Sequence, residues 1–415
     1  MLALLRRNRD LRLLFASQVI SLGGDWFATV ALLGLIGDLT HDNAVLKGLV
    51  FVAQSLPAFL VTPWAGPTAD RFDRRKIMLV VSGLQALATL LFLLIGPGRV
   101  WVAFVAISIV TALSAFFGPA SSAAMANLVD RQDLAKATSL LSATWGVMLA
   151  VGASLGAVFS QVFGRRAAFV ADALSFVAAG LLIVAIKRKT RAADVVGADG
   201  HRPRLRPVHD TREALAFART DRGLLALLCS KGGFGLSSGV VGVLSVLATR
   251  RFGGGDGAIG TLLGARGVGV VLGPILASHF GTRDVPGILR ICAYSCITYG
   301  ICYIGVGHAP VLAVAAVLTV LAHLGGGAQW TLSTIGLTLA TPDALRGRIM
   351  AADFALVMLS TSLSYVVGGV LASTAGPTTA FTVLGSLSIV WGACYLRLTR
   401  TLRGDTPQPA SNPTA

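Results

Sequence analysis

The chain has 415 residues, of which 54% are hydrophobic and only 13% charged, about half the charged share of an ordinary soluble domain. With a mean hydropathy of +0.74, that composition excludes a soluble globular protein and makes lipid the solvent of most of the chain. The net charge of +16 does not point to nucleic acid, because the basic residues are scattered over short segments between apolar runs instead of being gathered in one domain.

Taken in chain order, Arg6, Arg7, Arg9 and Arg12 precede an apolar run over residues 13–36. The run is longer than the core of a signal peptide and no A-x-A site closes it, so a retained first span is expected. Further runs follow at 47–69, 77–97, 100–126, 138–163 and 167–186, then at 223–248, 258–280, 287–306, 310–338, 349–372 and 378–396. A helix needs about 20 apolar residues to cross the hydrocarbon core, so twelve spans consume most of the chain and leave no room for a soluble catalytic domain. With the N-terminus placed in the cytoplasm, 27 basic residues fall in cytoplasmic segments and 6 in outer ones. The positive-inside rule therefore puts both termini of this multi-pass chain in the cytoplasm.

The longest polar stretch, 187–222, reads as a cytoplasmic linker between an N-terminal six-helix half (1–186) and a C-terminal one (223–397). Asp210 starts a short surface helix within it, and 398–415 reads as a disordered cytoplasmic tail. The halves echo each other: Gly66-Pro67 recurs as Gly273-Pro274, 207 residues on, and the segment at Asp133 recurs at Ala344, 211 residues on. Similar offsets indicate a duplication, with the substrate site between the halves. The five cysteines (Cys229, Cys292, Cys296, Cys302, Cys394) lie in apolar runs without ligand spacing and read as small packing residues, with no metal and no cofactor expected.

At the end of the second run stand Gly66-Pro-Thr-Ala-Asp70-Arg71-Phe-Asp73-Arg74-Arg75-Lys76. This segment resembles the loop signature of the major facilitator superfamily, G-x-x-x-D-R-x-G-R-R/K, with Asp73 in place of the second glycine. Leu128-Val-Asp130-Arg131-Gln-Asp133-Leu134, Ala171-Asp172-Ala-Leu-Ser-Phe176 and Thr341-Pro342-Asp343-Ala-Leu-Arg346-Gly347-Arg348 extend the likeness over nearly the whole chain. They resemble the bacterial branch that includes the enterobactin exporter and macrolide efflux proteins. The resemblance implies an all-α fold of twelve transmembrane helices in two pseudo-symmetric halves, and proton-coupled export of small natural products. It also implies a cytoplasmic gate at Gly66, Asp70, Arg71, Arg74 and Arg75, whose charges can pair across the seam as that side opens and closes.

No Walker A pattern occurs, so a gradient must supply the energy, and the sole glutamate, Glu213, lies in the linker. Asp25 is 13 residues from both Arg12 and Asp38, about 20 Å from either end of its helix. A charge there costs at least about 2.5 kcal/mol, which selects Asp25 as the proton-coupling residue, with His323 in reserve. Asp353 follows Arg346 and Arg348 by one to two turns, so pairing with them, or across the halves, at the cytoplasmic gate is expected. Lys231 and Arg266 read as substrate-cavity residues, either in a charge network across the halves or as a cationic lining for an acidic substrate. Gln54, Gln329 and Trp330 complete the candidate cavity.

The sequence therefore predicts an alternating-access exporter working as a monomer with a small-molecule substrate, protons and lipid as its partners and no nucleic acid. Import of a nutrient or lysolipid is the rival within transport. A membrane enzyme would need converging nucleophiles or ligands, and a sensor an output domain; neither is present, and the chain reads as no enzyme.

Overall fold

The computed structural model describes residues 2–188, 216–279 and 284–404. Twelve helices among them are long and apolar enough to cross a membrane, one for each expected run. We number them α1 (Arg9–Leu39), α2 (Ala44–Arg71), α3 (Arg74–Leu90, prolonged by a 3-10 turn Leu91–Leu94), α4 (Trp101–Leu128), α5 (Arg131–Phe163), α6 (Arg165–Val184), α7 (Arg222–Arg250), α8 (Gly255–His279), α9 (Val285–His308), α10 (Leu312–Ala340), α11 (Asp343–Thr374) and α12 (Pro377–Leu398). A short helix, Leu2–Arg7, precedes α1. The proposed linker helix from Asp210 lies outside the described residues up to residue 215, after which 216–220 are helical. The tail beyond residue 404 is likewise outside them.

Local chemistry sets the helix ends. The side chain of Asn8 accepts from the Leu11 amide at 3.0 Å, that of Asn43 from Val45 and Leu46, that of Asp73 from Arg75 and that of Asp221 from Gly223 and Leu224. Each satisfies amides that a helix start leaves without an intrahelical partner. Asp73, the departure from the superfamily pattern, thus caps α3. Tight corners repeat in the two halves: Gly164 (φ +85°) joins α5 to α6 and Gly376 (φ +87°) joins α11 to α12, 212 positions apart. That spacing matches the offsets of the sequence echo, and only glycine adopts this backbone without strain. α7 is interrupted, running as Arg222–Cys229, Gly232–Ser237 and Gly239–Arg250.

Within the N-terminal half α1 packs on α5 and α6, and α3 on α4 and α6; within the other half α8 packs on α10, and α9 on α10 and α12. The halves meet along two seams, α5 against α8 and α2 against α11. Small residues let the backbones approach there. A Cβ on Gly48 would lie 2.8 Å from the Tyr365 carbonyl oxygen, one on Gly369 2.9 Å from Ala44, and one on Gly260 2.8 Å from the Ala153 carbonyl. Cys292, Cys296 and Cys302 are buried as expected of packing residues, whereas Cys229 and Cys394 are exposed on the outside of the bundle.

Candidate functional site

The bundle has one end carrying the α1–α2 turn and Asp42, and one carrying the α2–α3 turn and Arg74. At the Asp42 end two polar clusters cross from half to half. Lys47, 0% exposed, is salt-bridged to Asp42 and donates to Thr249 Oγ1 at 3.2 Å and to the Ser245 carbonyl at 3.4 Å. Thr249 donates to Asp42 at 2.9 Å and Arg250 to the Asp42 carbonyl at 3.0 Å. Burial opposes the Asp42 charge, but the Lys47 ammonium, with Thr249 and Arg250, outweighs it and holds the carboxyl below its usual range. In the second cluster Arg165 forks onto Asp256 at 2.9 Å, reaches Asp38 at 2.5 Å, and Ser160 donates to Asp256 at 2.6 Å. Of these groups the sequence marks only Lys47, Arg165 and Arg250, as charges that set topology. The sequence signal is the Asp-Asn pair in His41-Asp42-Asn43, residue types that favour turns; His41 and Asp42 adopt left-handed backbone there (φ 51° and 57°).

The expected gate at the other end looks different. Arg74 donates to the Ala123 carbonyl at 3.1 Å and Arg75 to the Val184 carbonyl, so both tie α3 to its own half. Their described bonds do not cross the seam. Arg71 is exposed, and the burial of Gly66 and the side chain of Asp70 lie outside what is described.

Asp25 stands halfway along α1. The neighbouring Gly24 abuts α6, where an added Cβ would come within 2.8 Å of Ser175 Cβ and meet the Asp172 carboxylate. Asp172 is 1% exposed, accepts from Ser175 Oγ at 3.3 Å and lies within electrostatic reach of Asp25. Among the described residues neither carboxylate has a basic group within ion-pair distance. Gln54 donates to Thr29 at 2.9 Å, linking α2 to α1.

In the other half, Lys231 sits in the interruption of α7 and is salt-bridged to Asp353 of α11. The ammonium also donates to Thr334 at 3.3 Å and stands 4.8 Å from the centre of the Trp330 ring. This corrects the expected pairing of Asp353. Asp353 pairs with Lys231 inside its own half, not with Arg346, Arg348 or the opposite half, and Lys231 is a neutralised, buried cation. Arg346 donates to the carbonyls of Thr338 and Thr341. Gln329 donates to the Ser230 carbonyl at 2.6 Å, holding the broken turn of α7 against α10. His323, 1% exposed, is bonded to Tyr303 at 2.8 Å and enclosed by the Tyr299 and Phe234 rings.

Arg266 stands alone at the α5–α8 seam. It is 9% exposed, its guanidinium lies 5.9 Å from the centre of the Trp145 ring across the seam, and its Nε has no hydrogen-bond partner. No carboxylate among the described residues lies within ion-pair distance of it. Trp145 meets Trp26 of α1 edge-on at 6.4 Å.

Two pseudo-symmetric six-helix halves joined along two small-residue seams, with ionisable side chains buried at mid-depth, describe a multi-pass membrane transporter of the major facilitator type. The chain belongs to the Transmembrane secretion effector family of that superfamily, whose model matches residues 2–411. It is 25% identical to the uncharacterized MFS-type transporter YfiS of Bacillus subtilis (strain 168), over 95% of this chain and 94% of that one. It is also 25% identical to the putative bacilysin exporter BacE of Bacillus amyloliquefaciens, over 86% of each. The fold is shared with a POT family transporter solved in complex with 5-aminolevulinic acid, at a TM-score of 0.73 and 11% identity over 95% of this chain and 97% of that one.

Proposed function

We propose that the protein is a proton-coupled exporter of small natural products that works by alternating access in the bacterial plasma membrane, as a monomer and without enzymatic activity. The observation that carries the reading is the apposition of Asp25 and Asp172 at mid-depth, with no basic group among the described residues within ion-pair distance of either. Two carboxylates in low dielectric repel when both are charged, and a proton retained on one of them removes that cost. Such a pair takes up or releases a proton when its surroundings change, which is what coupling to a gradient requires. The exporter name of BacE supports the direction of transport, and the excess of basic residues at the Arg74 end supports placing that end in the cytoplasm.

On this reading the bonds at the Asp42 end close the outer side in the state described, and the cycle breaks them while the Arg74 end closes. Substrate flux driven by a pH gradient in oriented proteoliposomes tests it, comparing wild type with Asp25→Asn and Asp172→Asn. We expect gradient-driven efflux in the wild type. Asp25→Asn should abolish the response to the gradient while leaving downhill exchange, and Asp172→Asn should shift its pH dependence. Gradient-driven accumulation in the opposite sense would make the protein an importer, and undiminished coupling in both variants would remove the pair from the mechanism.

A further inference from the structure

The two buried cations of the C-terminal half are treated differently by the fold. Lys231 carries its counter-ion with it, since Asp353 neutralises it within the same half. Arg266 has no such partner among the described residues. It is nine-tenths buried, eleven residues into α8 from Gly255 and so about 16 Å along the helix, and its charge lies against a tryptophan of the opposite half. A guanidinium presents five N–H donors in a planar fork, and an aromatic face accepts none of them as a carboxylate does. An uncompensated buried cation is costly unless something else completes it. Its position suits an incoming group, because the α5–α8 seam joins the two halves that must move past each other.

The surroundings specify what would complete it. The Arg266 charge reaches the hydroxyls of Tyr299, Tyr303 and Tyr365, and Tyr365 is stacked on Phe51 at 5.3 Å across the other seam. Trp145 presents an exposed ring, 43% accessible, beside the guanidinium. A planar anion-binding fork beside flat apolar faces fits a carboxylate attached to an apolar, ring-bearing body.

We propose that Arg266 is the docking point for a carboxylate of the transported molecule, and that the substrates are small amphipathic organic acids. This deepens the transporter reading and names its substrate class. The test is equilibrium binding to the purified full chain in lipid nanodiscs with no gradient, using dansylglycine and its neutral analogue dansylglycinamide, read by energy transfer from tryptophan. The acid should bind about tenfold or more tightly than the amide, as expected for a desolvated charge-assisted contact. Arg266→Gln should bring the acid down to the affinity of the amide without altering amide binding, which also reports that the variant is folded. Arg266→Lys should restore part of the preference.

Equal binding of acid and amide by the wild type, no binding of either, or an acid preference that survives Arg266→Gln would each overturn the proposal. So would complete displacement of the acid by chloride at matching concentration, which would mark a simple halide site. If Arg266→Gln does not fold, the wild-type acid-to-amide ratio and the lysine variant decide. Because no gradient is used, a failure of proton-driven flux with the acid preference intact would overturn the exporter reading while leaving the role of Arg266 standing.

Discussion

At the scale of single residues, the most consequential pair is Lys231 with Asp353, because both are nearly inaccessible, at 2% and 6% side-chain exposure. Removing one partner leaves the other charged and desolvated, so Asp353→Ala should destabilise the protein by about 3–5 kcal/mol. The double change Lys231→Met with Asp353→Leu should recover most of that loss, since it removes both charges and keeps the volume. Thermal unfolding of the two variants in detergent checks this, and a double variant as unstable as the single one would contradict it. The depth of Lys231, Arg266 and Asp25 was legible in the sequence, because position along an apolar run converts directly into distance from the membrane surface. The partners were not. Lys231 and Asp353 are separated by 122 positions, and nothing in either helix alone says which turn faces which. Arg346 and Arg348 lay closer in sequence to Asp353 and so competed for it on paper, yet a helix places them on the turns nearer its end, where Arg346 finds carbonyls.

At the scale of elements, the twelve helices were readable because the bilayer fixes how long an apolar run must be. Their true ends were less so: α2 starts three residues before its expected run and α3 likewise, where Asn43 and Asp73 act as caps. The glycines of the seams carry no signal of which helix they meet, but their geometry makes a definite prediction. Gly48→Val places a side chain against the Tyr365 backbone, where a Cβ is already 2.8 Å from the carbonyl oxygen, and neither backbone can yield without separating α2 from α11. The variant should therefore shift the population away from the state closed at the Asp42 end. Spin labels at positions 41 and 375, introduced in a cysteine-free background and with their side chains outside the bonds of the Asp42 end, should report a longer mean distance than in the parent. An unchanged distance distribution would show that the seam accommodates the added bulk.

At the scale of the whole molecule, the question is what holds the Asp42 end shut and whether protons act there. The sequence counted the charges of this end for topology, and their assembly into clusters became visible only once the halves were set against each other. Lys47 and Asp42 come from one half, Thr249 and Arg250 from the other. Because the Asp42 carboxyl is held below its usual range, its contribution is fully present above the ordinary carboxylate value of about 4 and is lost only as the pH falls through its lowered value. Acidification from pH 7.5 to 5.5 therefore leaves the Asp42 carboxylate of this latch charged, and on the proposed reading the pH response originates instead at the Asp25 and Asp172 pair. Asp42→Asn should open this end at every pH in that window, since it leaves the buried Lys47 ammonium without its counter-charge. The same label pair across the Asp42 end should show a constant difference between variant and parent from pH 7.5 to 5.5. A difference that vanishes toward pH 5.5 would mean that Asp42 itself takes up the proton, and would move the site of coupling from the middle of the bundle to its outer seam.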